Sequence, residues 1–596
     1  MRYFNNIFLL FFVFSSYSYT KEIDYIKKAT NLKLHKDDYW LKLLHYENNS
    51  STILENEFFL SKRGKTDPKN ELIETINSFL KDKKYICRYP ARFKWLKSKL
   101  DFNIESNLKE CIELNNYLDP NKVDTLSIVF TSERYSSPSS VFGHTFLQVQ
   151  TQTIKYAINY AANVPDNQNQ ILYAYRGITG KYKSQYKLMP YYIKDYEYRD
   201  EEFRDLITYK LDLSKDEIKN IIYHLFEIRN TTNNYYFFSR NCSSELVKLL
   251  DISKYNIDLS SNLSNSTIPI EIIYLLKKNN MINDIYSEDS KMKQFVNLIT
   301  NMDSNEKSIL SNLINSSIST NSFYRNSNLN SESKNKIILA AIKYFEIKSS
   351  SGSIRNKSLN TFMKLILIKD KNKIDDIKNK HKLKNNPISN KFHKFSIGYK
   401  GNKNYKHNLF GYRHLYRNRF DLEDMYLKNG SVEVFDLNIY KYNNKIKLES
   451  FNLFNIEALP ISNIYFFQST TQVSFGSKKT FFSNNQHIFY DYKKGIKYQL
   501  LENLFNHTYG DIGLYYYDSL LLKGSIINES EYVISNNNIF LLSLKYEKYE
   551  NGYENRNLSF KNFYKISQNI TSNLIISKNS TYKSDDHIAI SLNINF

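Results

Sequence analysis

The stretch Ser239-Arg-Asn-Cys242-Ser-Ser-Glu-Leu-Val-Lys-Leu-Leu250 places a cysteine at the start of a predicted helix. Asn241 is a favourable N-cap residue, and four apolar residues between positions 246 and 250 follow at helical spacing. A thiol in the first turn lies near free backbone N–H groups and the positive end of the helix dipole, which favour the thiolate. The same N–H groups can hold an oxyanion. We therefore predict that Cys242 is a nucleophile.

A histidine upstream has the best context for the base that such a nucleophile needs. His144 follows the loop Ser136-Ser-Pro-Ser-Ser-Val-Phe-Gly143 and precedes the strand-like run Thr145–Val149, so a rigid element would hold it. The competing His224 lies in the middle of a predicted helix, where a packed or surface histidine is the usual interpretation. We predict that His144 and Cys242 form a base–nucleophile pair.

A third residue is needed to orient the base. Two predicted strands, 143–150 and 153–160, are nearly adjacent. A two-residue turn at Thr151-Gln152 would place Asn159 directly opposite His144, whereas a three-residue turn would place Tyr160 there. We favour Asn159 and keep Tyr160 as the alternative.

The N-terminus predicts export. In residues 1–20, Arg2 precedes an apolar run from Ile7 to Phe14, and small residues follow, as in a secretory signal peptide. The net charge of +21 would suggest nucleic acid in a cytosolic protein. In an exported protein it favours anionic lipid headgroups or polyanionic envelope polymers, with a solvated basic surface as the alternative. We expect no nucleic-acid partner.

Three cysteines cannot all pair in an oxidising compartment. Cys87 and Cys111 lie 24 positions apart in one segment. A disulfide between them would stabilise the fold by about 3 kcal/mol in the chain-entropy model. Cys242 would then remain as a reactive thiol.

The periodicity of the apolar residues divides the chain after the signal peptide into four parts. Residues 21–120 predict a helical N-terminal domain. Residues 121–260 predict an α+β domain with strands at 126–131, 143–150, 153–160, 171–176, 207–213 and 235–238, and a tyrosine-rich loop from Gly177 to Tyr192. Residues 261–390 predict a helical connector that ends in a basic run. Residues 391–596 alternate with period two.

The last part predicts a membrane barrel. Roughly ten to twelve segments alternate apolar and polar residues, and the final one, Ile588-Ala-Ile-Ser-Leu-Asn-Ile-Asn-Phe596, alternates strictly. Strands can span lipid only in a closed barrel, which leaves no backbone group unpaired. The terminal Phe596 resembles the sorting signal of outer-membrane barrels. A soluble β-sandwich is the alternative, because it alternates equally well.

Four segments resemble the Lnb-type N-terminal periplasmic domain family: Ser139-Ser-Val-Phe-Gly-His-Thr-Phe-Leu147, Asn159-Tyr-Ala-Ala162, Glu202-Phe-Arg-Asp205 and Asn241-Cys-Ser243. The order of the histidine, the polar strand residue and Asn-Cys also resembles circularly permuted papain-like enzymes of the NlpC/P60 and lecithin:retinol acyltransferase kinds. The segment Cys87-Arg-Tyr-Pro-Ala-Arg92 and the C-terminal strands resemble regions that accompany this domain in some members. The resemblance implies a multidomain α+β chain whose permuted papain-like catalytic domain (121–260) is followed by an outer-membrane β-barrel.

The resemblance also implies lipoprotein N-acylation. We expect Cys242, His144 and Asn159 to transfer an acyl group through a thioester, with membrane lipid as the donor and lipoproteins as acceptors. A peptidoglycan amidase or endopeptidase of the NlpC/P60 kind is one alternative. A non-enzymatic barrel with a periplasmic binding domain is another. The sequence has no zinc-ligand spacing and no phosphate-binding glycine motif, so we expect neither a metal nor a cofactor. We expect the protein in the outer membrane, with its catalytic domain in the periplasm.

Overall fold

A computed structural model of the chain describes residues 24–102, 107–132, 142–165, 168–263, 267–325, 329–353, 356–376, 380–383, 393–402, 405–421, 430–442, 445–581 and 586–596. The predicted signal peptide and the loop 136–140 lie outside the described residues. The chain forms two compact units. One comprises Met1–Thr131, Gly143–Glu306 and Ser316–Leu383, and the other comprises Ser132–Phe142, Lys307–Asn315 and Lys384–Phe596.

Helices dominate the two parts of the chain for which helical periodicity predicts them. In chain order the helices are α1 (Asp38–Leu43), α2 (Pro68–Lys81), α3 (Lys84–Arg88), α4 (Pro90–Leu100), α5 (Ile112–Leu118), α6 (Gln170–Ile178), α7 (Tyr191–Asp195, continued by a π-helical turn Tyr196–Glu201), α8 (Lys215–Glu227), α9 (Cys242–Asp251), α10 (Pro269–Lys278), α11 (Lys291–Thr300), α12 (Ser304–Ile314), α13 (Thr320–Tyr324), α14 (Ser331–Ser350) and α15 (Asn356–Lys371). No helix within the described ranges is both long and apolar enough to span a membrane.

The N-terminal helices α1–α5 are fixed by caps and by one covalent bond. Asp67 accepts hydrogen bonds from the first backbone N–H groups of α2, and Pro68 occupies a first-turn position where no N–H is needed. The predicted disulfide between Cys87 and Cys111 is present. It joins α3 to the residue that precedes α5.

A buried ionic network holds α4 against α2 and α8. Arg92 donates to Glu71 over 2.6 Å, and both side chains are fully buried. Glu227 accepts the backbone N–H groups of Ala91 and Arg92, at 2.7 and 3.0 Å, in the first turn of α4. Because a buried charge is costly when it loses its partner, this network ties the N-terminal helices to α8.

An antiparallel sheet forms the core of the first unit. Its strands are β1 (Val123–Thr131), β2 (His144–Thr151), β3 (Lys155–Ala162), β4 (Tyr182–Pro190), β5 (Leu206–Leu211), β6 (Asn233–Tyr235), β7 (Ile282–Glu288) and β8 (Lys380–Leu383), in the spatial order β8-β7-β5-β1-β2-β3-β4-β6. The buried residues of α9 pack on β2 and β3. The helical prediction for 261–390 does not include β7 and β8, which extend the sheet beside β5.

Four of the six predicted strands correspond to β1, β2, β3 and β5, and the strand predicted at 235–238 overlaps β6 only at Tyr235. The strand predicted at 171–176 is wrong, because these residues form α6. The segment Tyr182–Pro190, predicted as part of a loop, is β4. Both errors arise from a short apolar and aromatic run, whose periodicity does not distinguish a strand from a helix.

The hairpin of β2 and β3 turns one residue later than Thr151-Gln152. The N–H of Thr151 donates to the carbonyl of Ile154 over 2.9 Å, so the two residues between them form the turn. Gln150 consequently pairs with Lys155. A shift of one residue in the turn moves every cross-strand partner by two, so each side chain stays on its predicted face of the sheet.

The second unit contains a closed antiparallel barrel of twelve strands. These are β9 (Lys394–Gly401), β10 (Lys406–Arg417), β11 (Gly430–Tyr442), β12 (Lys445–Ala458), β13 (Ser469–Thr480), β14 (Ser483–Leu501), β15 (Leu504–Tyr516), β16 (Leu520–Ser535), β17 (Asn538–Tyr549), β18 (Glu554–Lys565), β19 (Ile570–Asn579) and β20 (His587–Asn595). Each strand pairs with the next along the chain, and β20 pairs with β9 to close the ring. A two-residue strand, Ile461–Ser462, lies parallel to β14.

The side chains of the barrel have the polarity of a membrane protein. The alternating apolar residues of β20 face outward, and Ile588 and Ile590 are 52% and 57% exposed. The intervening Asn593 and Asn595 face inward and are buried. A soluble sandwich would bury its apolar face, whereas a transmembrane barrel turns that face to lipid. The predicted outer-membrane type of barrel is therefore confirmed, and the soluble alternative is wrong.

Residues 418–421, the described part of the segment between β10 and β11, enter the interior of the barrel. Arg419 lies 2.9 Å from Glu529 and 3.6 Å from Glu531 on β16, and 3.5 Å from Glu457 on β12. Phe420 stacks on Phe563 of β18, with ring centroids 4.0 Å apart. Strands β16 and β18 lie on the far side of the ring, so the side chains of Arg419 and Phe420 reach across the lumen.

Replacing Cys87 and Cys111 with serine should lower the stability of the first unit by about 3 kcal/mol, because the unfolded chain loses a 24-residue cross-link. The thermal unfolding midpoint measures the loss. Reductant should shift the wild-type midpoint to the same value and leave the double variant unchanged. A wild-type midpoint that is insensitive to reductant would contradict this account.

Replacing Arg419 with alanine should destabilise the barrel by about 3 kcal/mol, because the buried Glu457 and Glu529 and the half-buried Glu531 lose their shared cation. The urea midpoint of the heat-modifiable gel mobility measures this. Lys578→Ala is the matched control, because it removes a lysine that is exposed on β19. Equal midpoints for the two variants would show that the ionic contacts of Arg419 add no stability.

Candidate active site

Asn241 fixes the start of α9. Its side-chain oxygen accepts the backbone N–H groups of Ser243 and Ser244, at 2.9 and 3.2 Å. Its amide nitrogen donates to the carbonyls of Phe237 and Thr267, at 2.9 and 2.7 Å. Because the whole amide is engaged, the first helical residue is held in one position.

Cys242 is that first residue. It is the one free cysteine of the chain, and its side chain is buried with 4% exposure. The sulfur lies 4.0 Å from the Thr145 hydroxyl and 3.7 Å from the Ser243 hydroxyl. The structure therefore places the predicted thiol at the helix start, against the first residues of β2.

His144 begins β2 and contacts the residue that the sequence predicts. Its Nε2 lies 2.7 Å from the Asn159 side-chain oxygen. The observed register makes the two residues diagonal neighbours across the hairpin rather than direct partners, and side chains at this spacing still interact. The alternative Tyr160 is buried and bonds the Ser184 hydroxyl over 2.6 Å instead. The structure thus brings His144 and Asn159 together beside the thiol.

The pKa of the Cys242 thiol reflects two opposing effects. Burial raises the pKa, because the thiolate is poorly solvated. The charge of His144 and a hydrogen bond from its ring lower the pKa, as do hydrogen bonds from the Thr145 backbone N–H and the Ser243 hydroxyl. The pKa falls from 9.0 to about 7. The pKa of Cys242 therefore lies near neutral pH, well below that of an ordinary thiol.

Two tyrosines at the site were not predicted from the sequence. Burial raises the pKa of Tyr198 and Tyr235 well above the ordinary value, and negative charge on Cys242 contributes in both cases. The backbone N–H of Cys242 donates to the Tyr235 hydroxyl. The Tyr198 ring lies 6.0 Å from the His144 ring. Both hydroxyls remain protonated donors near neutral pH.

The segment Glu202–Asp205 packs against Tyr198. Arg204 lies over the Tyr198 ring at 5.0 Å and donates to Glu202 over 2.8 Å. Asp205 accepts the backbone N–H of Ser290 over 2.7 Å. This part of the sequence therefore has a positional role, because it holds the aromatic ring that packs beside His144.

The competing histidine is packed in the core, away from the thiol. His224 lies 3.0 Å from the ring nitrogen of His45 and 3.2 Å from Glu227. Burial, followed by the charge of Arg92, lowers the pKa of His224 to about 3, so the ring is neutral. Within the residues that the structure covers, no group of three or more metal-ligating side chains is found.

Comparison with family models identifies this part of the chain. Residues 113–279, which contain the whole site, match the Lnb N-terminal periplasmic domain. Residues 32–99 and 388–594, which flank the Lnb-type domain, match two domains of unknown function (DUF7843 and DUF7840). A periplasmic domain joined to a barrel with an apolar outer face makes this an outer-membrane protein with a periplasmic Lnb-type domain.

Solved structures resemble the barrel. The KdgM porin in complex with disordered oligogalacturonate is 9% identical, with a TM-score of 0.23, and the match covers 34% of this chain and 99% of the porin. The NanC porin is 10% identical, with a TM-score of 0.24, and covers 34% and 98%. Omp33 of Acinetobacter baumannii is 8% identical, with a TM-score of 0.20, and covers 35% and 98%. No curated protein matches the sequence.

Replacing His144 with alanine should slow alkylation of Cys242 by iodoacetamide at pH 7 by about an order of magnitude, because the thiol loses the charge that offsets its burial. Asn159→Ala should slow it less, since Asn159 acts through the His144 ring. The rate is followed by the mass of the Cys242 peptide.

The sign of the pH dependence follows from the lowered pKa. The wild-type rate should rise through pH 7, and the His144→Ala rate should rise only at more alkaline pH. His381→Ala is the matched control, because it removes an exposed histidine from the same unit. A His144→Ala rate equal to wild type at pH 7 would exclude His144 as the group that activates the thiol.

Proposed function

We propose that this outer-membrane protein transfers acyl groups through a thioester on Cys242, with a phospholipid as the donor and a lipoprotein amine as the acceptor. The observation that supports this most strongly is a single free thiol at a capped helix start, beside a histidine that is itself held by an amide. A thiol nucleophile, a histidine base and a residue that orients the base form the arrangement used for acyl transfer by cysteine.

In the first half-reaction the Cys242 thiolate attacks the carbonyl carbon of the donor ester. The carbonyl electron pair moves to oxygen and gives a tetrahedral oxyanion. When it collapses, the ester C–O bond breaks, and the His144 imidazolium gives its proton to the departing alkoxide. The products are a lysophospholipid and an acyl thioester on Cys242.

In the second half-reaction an amine attacks the thioester carbonyl. His144, now neutral, accepts a proton from the attacking nitrogen, the C–S bond breaks, and the thiolate returns. The product is an amide. Asn159 keeps the His144 ring facing the sulfur in both steps, because its side-chain oxygen bonds the same ring nitrogen throughout.

Donors for the oxyanion are close to the sulfur but differ from those that the helix start alone predicts. The N–H groups of Ser243 and Ser244 are already bonded to Asn241. The Tyr235 hydroxyl, which accepts the Cys242 N–H, and the Thr145 N–H, which hydrogen-bonds the sulfur, are the candidates. One such donor typically contributes about 3 kcal/mol to the stabilisation of an oxyanion.

Trapping the acyl-enzyme tests the proposal. The full-length protein in detergent is incubated with phospholipid, quenched in acid and digested, and the peptide that contains Cys242 is weighed. We expect a fatty-acyl adduct on Cys242 that is absent in Cys242→Ser and strongly reduced in His144→Ala. Cys87 and Cys111 serve as internal controls, because their disulfide protects them.

The same experiment with muropeptides distinguishes the other reaction. A muropeptide adduct on Cys242, without a fatty-acyl adduct, would reassign the site to a peptidoglycan amidase or endopeptidase. The absence of any adduct with either donor, in protein whose Cys242 still reacts with iodoacetamide, would overturn the enzymatic proposal and favour a binding domain.

A further inference from the structure

Helix α6 exposes an apolar face. Leu172, Tyr175 and Ile178 recur every three residues and are 41%, 58% and 55% exposed. The opposite side of the helix is packed: the Tyr173 ring lies 5.9 Å from that of Tyr182, and a side chain at Gly177 would collide with Phe237. The helix is therefore amphipathic, and its apolar face is exposed to solvent. A helix of nine residues rarely forms stably unless such a face packs against a partner.

The sequence that contains α6 carries charge of one sign between Asp166 and Asp195. Residues 167–194 contain five cations and no carboxylate: Arg176, Lys181, Lys183, Lys187 and Lys194. The first four have no carboxylate within ion-pair distance among the residues that the structure describes. Lys181 donates its backbone N–H to the carbonyl of Arg176, which places both cations at the C-terminal end of α6. This segment is thus complementary to an anionic surface.

Direct contacts connect α6 to the reactive thiol. The carbonyl of Gly177 accepts the backbone N–H of Phe237 over 3.0 Å, and the Tyr173 and Phe237 rings are 5.0 Å apart. The carbonyl of Phe237 in turn accepts the Asn241 amide that caps α9. One residue therefore separates the packed side of α6 from the residue that positions Cys242.

We propose that α6 is a membrane-docking helix that seats the Cys242 site on a phospholipid surface. Leu172, Tyr175 and Ile178 enter the headgroup region, where tyrosine rings with an apolar body and a polar tip are favoured, and Arg176 and Lys181 meet the phosphates. Tyr192 and Ile193 of α7 lie in the same carboxylate-free segment and are 70% and 40% exposed. They give α7 the same exposed apolar character as α6. The inference rests on the proposed function, because a lipid donor must reach the buried thiol of Cys242. The fluorescence test of docking does not depend on that function.

Fluorescence quenching tests the docking directly. The chain has two tryptophans, Trp40 and Trp95, and both are fully buried. A tryptophan introduced by Tyr175→Trp therefore reports its own surroundings. The full-length variant is reconstituted in vesicles of phosphatidylethanolamine and phosphatidylglycerol, with either ordinary or brominated acyl chains. The wild-type protein provides the baseline, because brominated lipid should leave the emission of its buried Trp40 and Trp95 unchanged.

The matched control is Tyr255→Trp. Tyr255 is 39% exposed and follows the C-terminal end of α9, about 15 Å of helix away from Cys242. We expect brominated lipid to quench the added emission of Tyr175→Trp about twofold, because an interfacial side chain reaches roughly 5–10 Å into the lipid. The added emission of Tyr255→Trp should be unaffected. Equal quenching of the two variants, or none at position 175, would overturn the proposal.

The outcome is independent of the proposed chemistry. Quenching at position 175 without an acyl adduct on Cys242 would keep α6 as a docking helix and remove acyl transfer. An acyl adduct without quenching would keep the chemistry and remove the docking helix.

Discussion

The side chain of Asn241 is the constraint on which the site depends. Its oxygen holds two N–H groups of the first turn of α9, and its nitrogen holds two carbonyls from the chain on either side. These four bonds determine where the helix begins, and therefore where the sulfur of Cys242 lies relative to β2. They also occupy two of the N–H groups that a bare helix start would offer to an oxyanion, so the Tyr235 hydroxyl becomes important in the proposed reaction.

Once the sulfur is fixed, its ionisation depends on a balance between burial and neighbouring charge. Burial favours the thiol, whereas His144, the Thr145 N–H and the Ser243 hydroxyl favour the thiolate. The histidine keeps its orientation through Asn159, and the Tyr198 ring beside it is held by Arg204. A thiol whose pKa is lowered toward neutral pH therefore results from contacts among α9, the β2–β3 hairpin and the segment that follows α7.

Local patterns in the sequence predict much of this arrangement. The Asn-Cys pair before an apolar-periodic run predicts the cap and the thiol. The predicted contact of Asn159 with His144 is present although the predicted turn is wrong by one residue, because the face of the sheet on which a strand residue lies depends only on whether its position is odd or even. The closed barrel and its outward apolar face follow from period-two alternation. Long-range contacts could not be predicted. Tyr198 and Tyr235 reach the site only through tertiary packing, and α6 resembles a strand because its apolar run is short and aromatic.

The most direct test of the account is a titration of Cys242 itself in the folded, full-length protein. The ultraviolet absorbance of the thiolate, taken as the difference between wild type and Cys242→Ser, reports this residue alone because the other two cysteines are bonded to each other. We predict a midpoint at about pH 7. A midpoint at or above 9.0, the ordinary value for a thiol, would contradict it, because burial would then outweigh His144.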